Sequence, residues 1–319
     1  MSFTHPHDPY VTPPEYWNRY CHDAIDMPMV PFIPVEERDS HGTWLYHHYD
    51  RGEYEVTDED IRRSRHGYYG SIALVDDLVG KVLDALKAAR LDSSTIILFT
   101  ADHGDMLGER GQWYKMSFFE HSCRIPLMVS IPGETATHRV SVCTSLIDLM
   151  PTLVDMALDD GTDHLVEPIE GRSLVPLVAG DPSGWVDETC SEICFEGVKA
   201  PGMMIRRGAR KYVHWEGGPC SLFDLASDPH ERVNLINDPS SAEEVGSFEA
   251  AVQRRWSIED LTQRIMLKQR RNALVHKALM SGEVTPLDFQ PFDDASRRYY
   301  RGHGNWHEAE ARDFLRFDR

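Results

Sequence analysis

S-T-I-I-L-F-T, residues Ser94 to Thr100, runs directly into A-D-H-G-D-M-L-G-E-R-G, residues Ala101 to Gly111. The first segment is a short β-branched apolar run, the kind that forms a strand buried on both faces in a parallel sheet. The second is polar and glycine-rich. It stands at the carboxyl end of that strand, where open α/β folds place their ligands. Just upstream, Asp58 to Arg90 carries Ile72, Val75, Leu78, Val79, Val82, Leu83 and Leu86 at helical spacing, the pattern of a long helix packed on a sheet. Helix followed by buried strand is the α/β order. I-P-L-M-V-S-I-P (Ile125 to Pro132) and S-L-I-D-L-M-P-T-L-V-D-M-A-L (Ser145 to Leu158) supply a further strand and helix, with Pro151 beginning or kinking the helical turn.

Residues 1–60 show no regular period. From about Asp187 the pattern changes to shorter β-type pieces, Met203 to Gly208, Lys211 to Trp215 and Ser221 to Leu225, separated by Gly and Pro, which predicts a small antiparallel subdomain. After Phe248 a charged amphipathic helix is expected to about Met280, followed by a tail rich in aromatics, His and Arg. The expected division is therefore 1–186, the α/β domain; 187–247, the antiparallel subdomain; and 248–319, a helical extension and tail.

The 319 residues are 41% hydrophobic and 27% charged, with a formal net charge of −19. No apolar run approaches the ~20 residues of a membrane span. The negative charge argues against a nucleic-acid partner, which needs clustered Lys and Arg, and favours a cationic or metal-assisted substrate. Six scattered cysteines favour reduced thiols, so a cytoplasmic location is the expectation. Cys190-x3-Cys194 lacks the second Cys or His pair of a zinc site.

Asp102 and His103 give one hard oxygen and one imidazole in a loop after a strand, a pair that suits a divalent cation. The alternative is a turn-capping Asp beside a surface His. Lys115, in W-Y-K-M-S-F-F-E, reads either as an anion clamp or as a snorkelling surface side chain. His5 and His7, in H-P-H-D-P, could bind an anionic oxygen or move a proton, since His titrates near neutrality.

T-A-D-H-G-D-M-L-G-E-R-G-Q-W-Y-K-M-S-F-F-E (Thr100 to Glu120) strongly resembles the sulfatase signature in its choline-sulfatase form. S-F-T-H-P-H-D-P-Y (Ser2 to Tyr10), S-L-I-D-L-M-P-T-L (Ser145 to Leu153), E-G-R-S-L-V-P-L (Glu170 to Leu177) and L-F-D-L-A-S-D-P-H-E-R-V-N-L (Leu222 to Leu235) resemble further sulfatase landmarks, in family order. W-S-I-E-D-L (Trp256 to Leu261), Lys268 to Arg271, F-Q-P-F-D-D-A-S-R-R-Y (Phe289 to Tyr299) and R-G-H (Arg301 to His303) resemble the choline-sulfatase carboxyl extension. The resemblance implies an alkaline-phosphatase-like α/β sandwich with a mostly parallel central sheet, here truncated at its amino side. It implies hydrolysis of a sulfate ester, choline sulfate first; the alternatives are a non-catalytic metal- or anion-binding or subunit-associating fragment and, further, a phosphate or phosphonate monoester hydrolase.

By the same resemblance, Asp102 and His103 would be ligands of a single divalent metal, calcium first, with manganese or magnesium as alternatives. Lys115 would hold sulfate oxygens and His7 would contact the same group. Glu196 would face the trimethylammonium group of choline. Asn305 stands near the place of an acidic residue that the family's tail inserts into a neighbouring subunit, so a homo-oligomer is implied. Family members form a formylglycine nucleophile from the Cys or Ser of a C/S-x-P/A-x-R motif. No cysteine or serine here lies in that motif; the resemblance therefore implies a chain inactive by itself.

Overall fold

The computed structural model describes residues 1–134, 137–158 and 167–282. The chain divides into two units, Met1–Leu267 and Lys268–Arg319; the elements below lie in the first unless stated.

Thr57 starts the longest element, helix α3 (Asp58–Ala88), which follows the short helices α1 (Pro14–Trp17) and α2 (Ser40–His48). The Thr57 hydroxyl accepts from the Asp60 backbone N–H at 3.2 Å, and the Asp60 carboxylate accepts from the Thr57 backbone N–H at 3.0 Å. This capping box satisfies two otherwise orphaned donors, while Asp58, Glu59 and Asp60 complement the helix dipole. The helix thus lies where its spacing predicts. Its packing differs from expectation, because the buried positions are Arg65, His66, Gly67, Gly70, Ser71 and Ala73 in its first half. There it packs against α1 and the segment around Tyr10. Gly67 permits that approach: a Cβ at this position would lie 2.0 Å from the Tyr10 carbonyl oxygen. Leu78, Val79, Val82, Leu83 and Leu86 are half-buried and Ile72 is exposed. The apolar stripe that predicts packing on a sheet is therefore only partly covered.

Strand β1 (Ile97–Thr100) leads into the 101–119 loop and the short helix α4 (Glu120–Cys123), and the chain returns as β2 (Leu127–Ser130). The sequence suggests parallel pairing and burial on both faces for β1. In the structure it pairs antiparallel with β2, Leu98 opposite Val129, and its residues are half-buried. An apolar run signals burial but not partner direction, and here the partner is the strand delivered by the chain reversal after the loop. Helix α5 (Leu149–Leu158) carries Pro151 in its first turn, where the missing N–H has no intrahelical partner to lose. A single turn, α6 (Val175–Val178), buries Leu177.

The antiparallel sheet has the order β3 (Glu188–Ile193), β4 (Gly202–Arg207), β5 (Arg210–Trp215) and β6 (Ser221–Asp224). The last three are the predicted strands; β3 is too polar, E-T-C-S-E-I, to announce itself. Side-chain alternation divides the sheet into two faces. Met203, Ile205, Tyr212 and Leu222 pack on Phe248, Ala251 and Val252 of helix α7 (Ala242–Arg255), and Tyr212 stacks on Phe248 with ring centroids 5.4 Å apart. Met204, Val213 and Trp215 face Phe118, Ile193 and Val198. The single helix expected to start after Phe248 is two: α7 begins earlier, the chain is extended at Trp256, and α8 (Ile258–Leu279) resumes and runs into the second unit. The stretch read as irregular also holds α2, whose N-cap Asp39 accepts from the Gly42 N–H at 2.6 Å. No helix among the described residues is long and apolar enough to cross a membrane.

Phe248 is 1% exposed and joins α7 to the sheet. Phe248→Ala should cost about 3–5 kcal/mol by transfer and cavity terms together. Urea unfolding will show a drop of that size; one below about 1 kcal/mol would mean that α7 does not seat the sheet as described.

Candidate functional site

The 101–119 loop is pinned at several points before any functional side chain is considered. Gly104 N–H donates to the Ser122 carbonyl at 2.7 Å, and a Cβ on Gly104 would lie 2.1 Å from the His121 carbonyl oxygen, so only glycine fits. Met106 N–H donates to the Tyr114 carbonyl at 2.8 Å. Asp105 is the hub. Its carboxylate accepts from the Leu107 N–H at 2.9 Å, the Tyr114 N–H at 3.2 Å and the Tyr10 hydroxyl at 2.9 Å. Burial raises the Asp105 pKa in spite of these bonds. Glu109, 1% exposed, accepts from the Met29 and Val30 N–H groups at 3.0 and 2.9 Å, which ties the loop to the 27–40 stretch.

Through the Tyr10 bond, the amino-terminal segment is held beside the loop. His7 Nε2 lies 3.0 Å from Lys115 Nζ, and His7 Nδ1 lies 2.8 Å from the Asp8 carbonyl. A proton on Nδ1, donated to Asp8, leaves Nε2 as the acceptor for the Lys115 ammonium, so one tautomer satisfies both contacts. The His7 and His103 rings stand edge to face with centroids 6.5 Å apart. His103 Nδ1 lies 2.8 Å from the Gly104 carbonyl, and Asp102 Oδ2 lies 3.5 Å from His103 Nε2. Donation from Nδ1 to a backbone carbonyl leaves Nε2 as the acceptor nitrogen, beside an 84%-exposed carboxylate. This chemistry of the donor pair fits a divalent cation. Among the described residues, no group of three or more His, Cys, Asp or Glu side chains is arranged to hold one.

Glu196, at φ 51°, accepts from the Tyr49 hydroxyl at 3.1 Å, and the Tyr49 ring lies 5.3 Å from that of Tyr114. Burial and the neighbouring Glu196 raise the Tyr49 pKa, keeping its proton on the donor oxygen. The structure thus brings together His7, Asp102, His103 and Lys115, and reaches Glu196 through Tyr114 and Tyr49. His5 is exposed, and Asn305 lies outside the described residues. Sequence reasoning missed Asp105, Tyr10, Tyr114 and Tyr49. Asp105 and Tyr114 sit inside the quoted Thr100 to Glu120 string and Tyr10 ends the quoted Ser2 to Tyr10 string, but Tyr49 comes from a segment with no periodic signal.

A buried cation fastens the carboxyl end of this loop to the antiparallel sheet. Lys211 on β5 is 0% exposed and donates to the Phe118 carbonyl at 2.6 Å, Glu120 Oε1 at 2.7 Å and Glu231 Oε1 at 2.8 Å. Burial alone would raise the Glu120 pKa, but Lys211 and Arg206 hold it below the ordinary carboxylate value.

Three family patterns match the chain: "Sulfatase" over residues 1–159, "N-sulphoglucosamine sulphohydrolase, C-terminal" over 108–256, and "Choline sulfatase enzyme C terminal" over 263–317. The choline-sulfatase of Rhizobium meliloti is 39% identical over 308 residues, covering 96% of this chain and 59% of that protein. The chain belongs to the sulfatase family. Arylsulfatase K of Gallus gallus is 32% identical over 240 residues, 71% of this sulfatase chain and 43% of that protein. The solved phosphonate monoester hydrolase of Silicibacter pomeroyi superposes with a TM-score of 0.65 at 27% identity, covering 78% of this chain and 53% of that one. The α/β fold is accordingly that of the sulfatase and alkaline-phosphatase-like proteins. This sulfatase chain spans less than two thirds of the length of each of these relatives.

Two predictions test what holds the site. Tyr10→Phe removes the bond to Asp105 and should lower stability by about 1–2 kcal/mol in denaturant melts; an unchanged melt would show that Tyr10 does not anchor the amino-terminal segment. Glu120, held low in the folded state, contributes stability that is present above its ordinary value of 4.5 and lost as pH falls through the lowered folded value. The acid limb of the stability profile should therefore be shallower in Glu120→Gln. Parallel limbs for the two proteins would contradict the role given to Lys211.

Proposed function

We propose that this chain supplies the metal- and sulfate-holding part of a sulfuric ester hydrolase whose substrate is choline sulfate. The observation that carries the reading is the convergence of Lys115, His7, His103 and Asp102 at the end of β1, within a chain of the sulfatase family. The Lys115 ammonium would donate to sulfate oxygens and stabilise charge on the leaving oxygen. His7, with its proton on Nδ1, fixes Lys115 through Nε2 in the absence of substrate. Asp102 and His103 would contribute two ligands of a divalent cation, calcium first, which supplies Lewis-acid stabilisation of the sulfate charge when bound. The Glu196 carboxylate, with Tyr49 bonded to it and the Tyr114 ring next to that of Tyr49, would offer one negative charge and aromatic faces to a trimethylammonium group. The choline-type pattern over residues 263–317 supports that choice of substrate.

The reaction needs a nucleophile. None of the six cysteines stands in the family's formylglycine motif, and we infer that turnover requires a polypeptide segment that carries it. The phosphonate monoester hydrolase neighbour favours a second reading, hydrolysis of phosphate or phosphonate monoesters by the same cation and lysine arrangement.

The test is sulfate release from choline sulfate, measured on this chain alone and on the chain joined to a formylglycine-bearing sulfatase segment. Release by the joined protein only is expected, falling by about two orders of magnitude in Lys115→Ala and abolished by a chelator. No release from choline sulfate, with turnover of a phenyl phosphonate, would transfer the assignment to the second reading.

A further inference from the structure

On the α7 side of the antiparallel sheet, the β5–β6 hairpin brings together three groups that the sulfate-ester reading leaves unused. His214 lies near the end of β5 and Cys220 immediately precedes β6, and the pairing of Val213 with Ser221 makes them the next cross-strand neighbours. Cys220 Sγ is 3.6 Å from His214 Nδ1. Tyr212, two residues before His214 on the same face, is 0% exposed, and its hydroxyl meets no hydrogen-bond partner. The outer nitrogen of His214 meets no hydrogen-bond partner, although the Glu216 carboxylate lies 3.5 Å away. Cys220 itself is partly accessible to solvent.

A thiol beside an imidazole has a base to take its proton and, once that proton has moved, a cation to stabilise the resulting anion. We propose that Cys220 is a thiol-modification site, its sulfur activated by His214 as the base that takes its proton, which forms mixed disulfides with low-molecular-weight disulfides. In the reaction Cys220 Sγ attacks one sulfur of the disulfide, so that a new S–S bond forms as the old one breaks. The departing thiolate takes up the proton held on His214, so charge and electrons balance with the disulfide as the only oxidant.

The charged and titratable surroundings agree. Burial works against the thiolate, but His214, Tyr212 and the Trp215 backbone outweigh it and lower the Cys220 pKa. Cys220 in turn raises the His214 pKa, with Glu216 helping, against the effect of burial. Tyr212 is raised, first by burial and then by Cys220 and by Glu249 from α7, so it stays a donor. The other buried and half-buried thiols go the opposite way. Burial pushes Cys123 and Cys143 up to about 11, and it also raises Cys190 and Cys194.

The test treats the full chain with oxidised glutathione from about pH 5 to about pH 9 and follows the adduct at each cysteine by peptide mass spectrometry. Cys190 and Cys194 are the controls, being of the same intermediate exposure. Near neutral pH the Cys220 adduct should form at least about tenfold faster than theirs, with a midpoint below the ordinary thiol value. His214→Gln should slow it about tenfold and move the midpoint upward. Cys220 reacting in step with Cys190 and Cys194, or with an unaltered rate and midpoint in His214→Gln, would overturn the proposal. The comparison within the wild-type chain decides the matter even where the variant does not fold.

Discussion

The ammonium of Lys211 is the interaction on which the arrangement of the molecule depends. It is fully enclosed, and it spans two parts of the chain that share no strand: the loop that leaves β1 and the sheet formed by β3 to β6. A buried cation is tolerable only when its donors are all answered, and here a backbone carbonyl and two carboxylates answer them. Glu231 also accepts from the Glu120 N–H at 2.8 Å, so one of these two carboxylates fixes the start of α4 as well. Removing either carboxylate would leave the other sharing a buried charge, and the loop bearing Lys115 would lose its distal anchor. The network is therefore expensive to disturb and specific in geometry, whereas apolar contacts would let the loop settle in several positions.

The site itself is assembled from short-range backbone chemistry. Asp105 collects two N–H groups of its own loop and one distant hydroxyl, and that third bond sets where the His7 segment lies relative to Lys115. His103 is oriented by the adjacent Gly104 carbonyl. Asp105 and His103 are thus aimed by backbone groups of their own loop, while the Tyr10 hydroxyl and the Met29 and Val30 N–H groups hold the middle of that loop from outside.

Much of this architecture can be read from the amino-acid string, and the part that cannot follows a pattern. Helix α3 declares itself through period and cap, and β4, β5 and β6 through Gly- and Pro-bounded β-rich pieces. What the pattern leaves open is partner and direction: β1 reads as buried in a parallel sheet yet pairs antiparallel with β2, and the stripe from Leu78 to Leu86 is only half covered. Likewise A-D-H-G-D and Lys115 stand out because unusual residues follow an apolar run, but Tyr10 and Tyr49 do not. Their roles come from contacts across 95 and 147 positions of sequence, which no local spacing encodes.

Gly104 has a consequence for how this loop can change over evolutionary time. The atom that would obstruct a side chain there is the main-chain oxygen of His121, 2.1 Å from the site of a Cβ. A clash with a side chain can be relieved by shortening that side chain elsewhere in the sequence. A clash with a carbonyl cannot, since every amino acid brings the same oxygen. Position 104 therefore has no compensating partner, and the Asp102–His103 pair immediately before it is locked to a glycine that no second substitution can release.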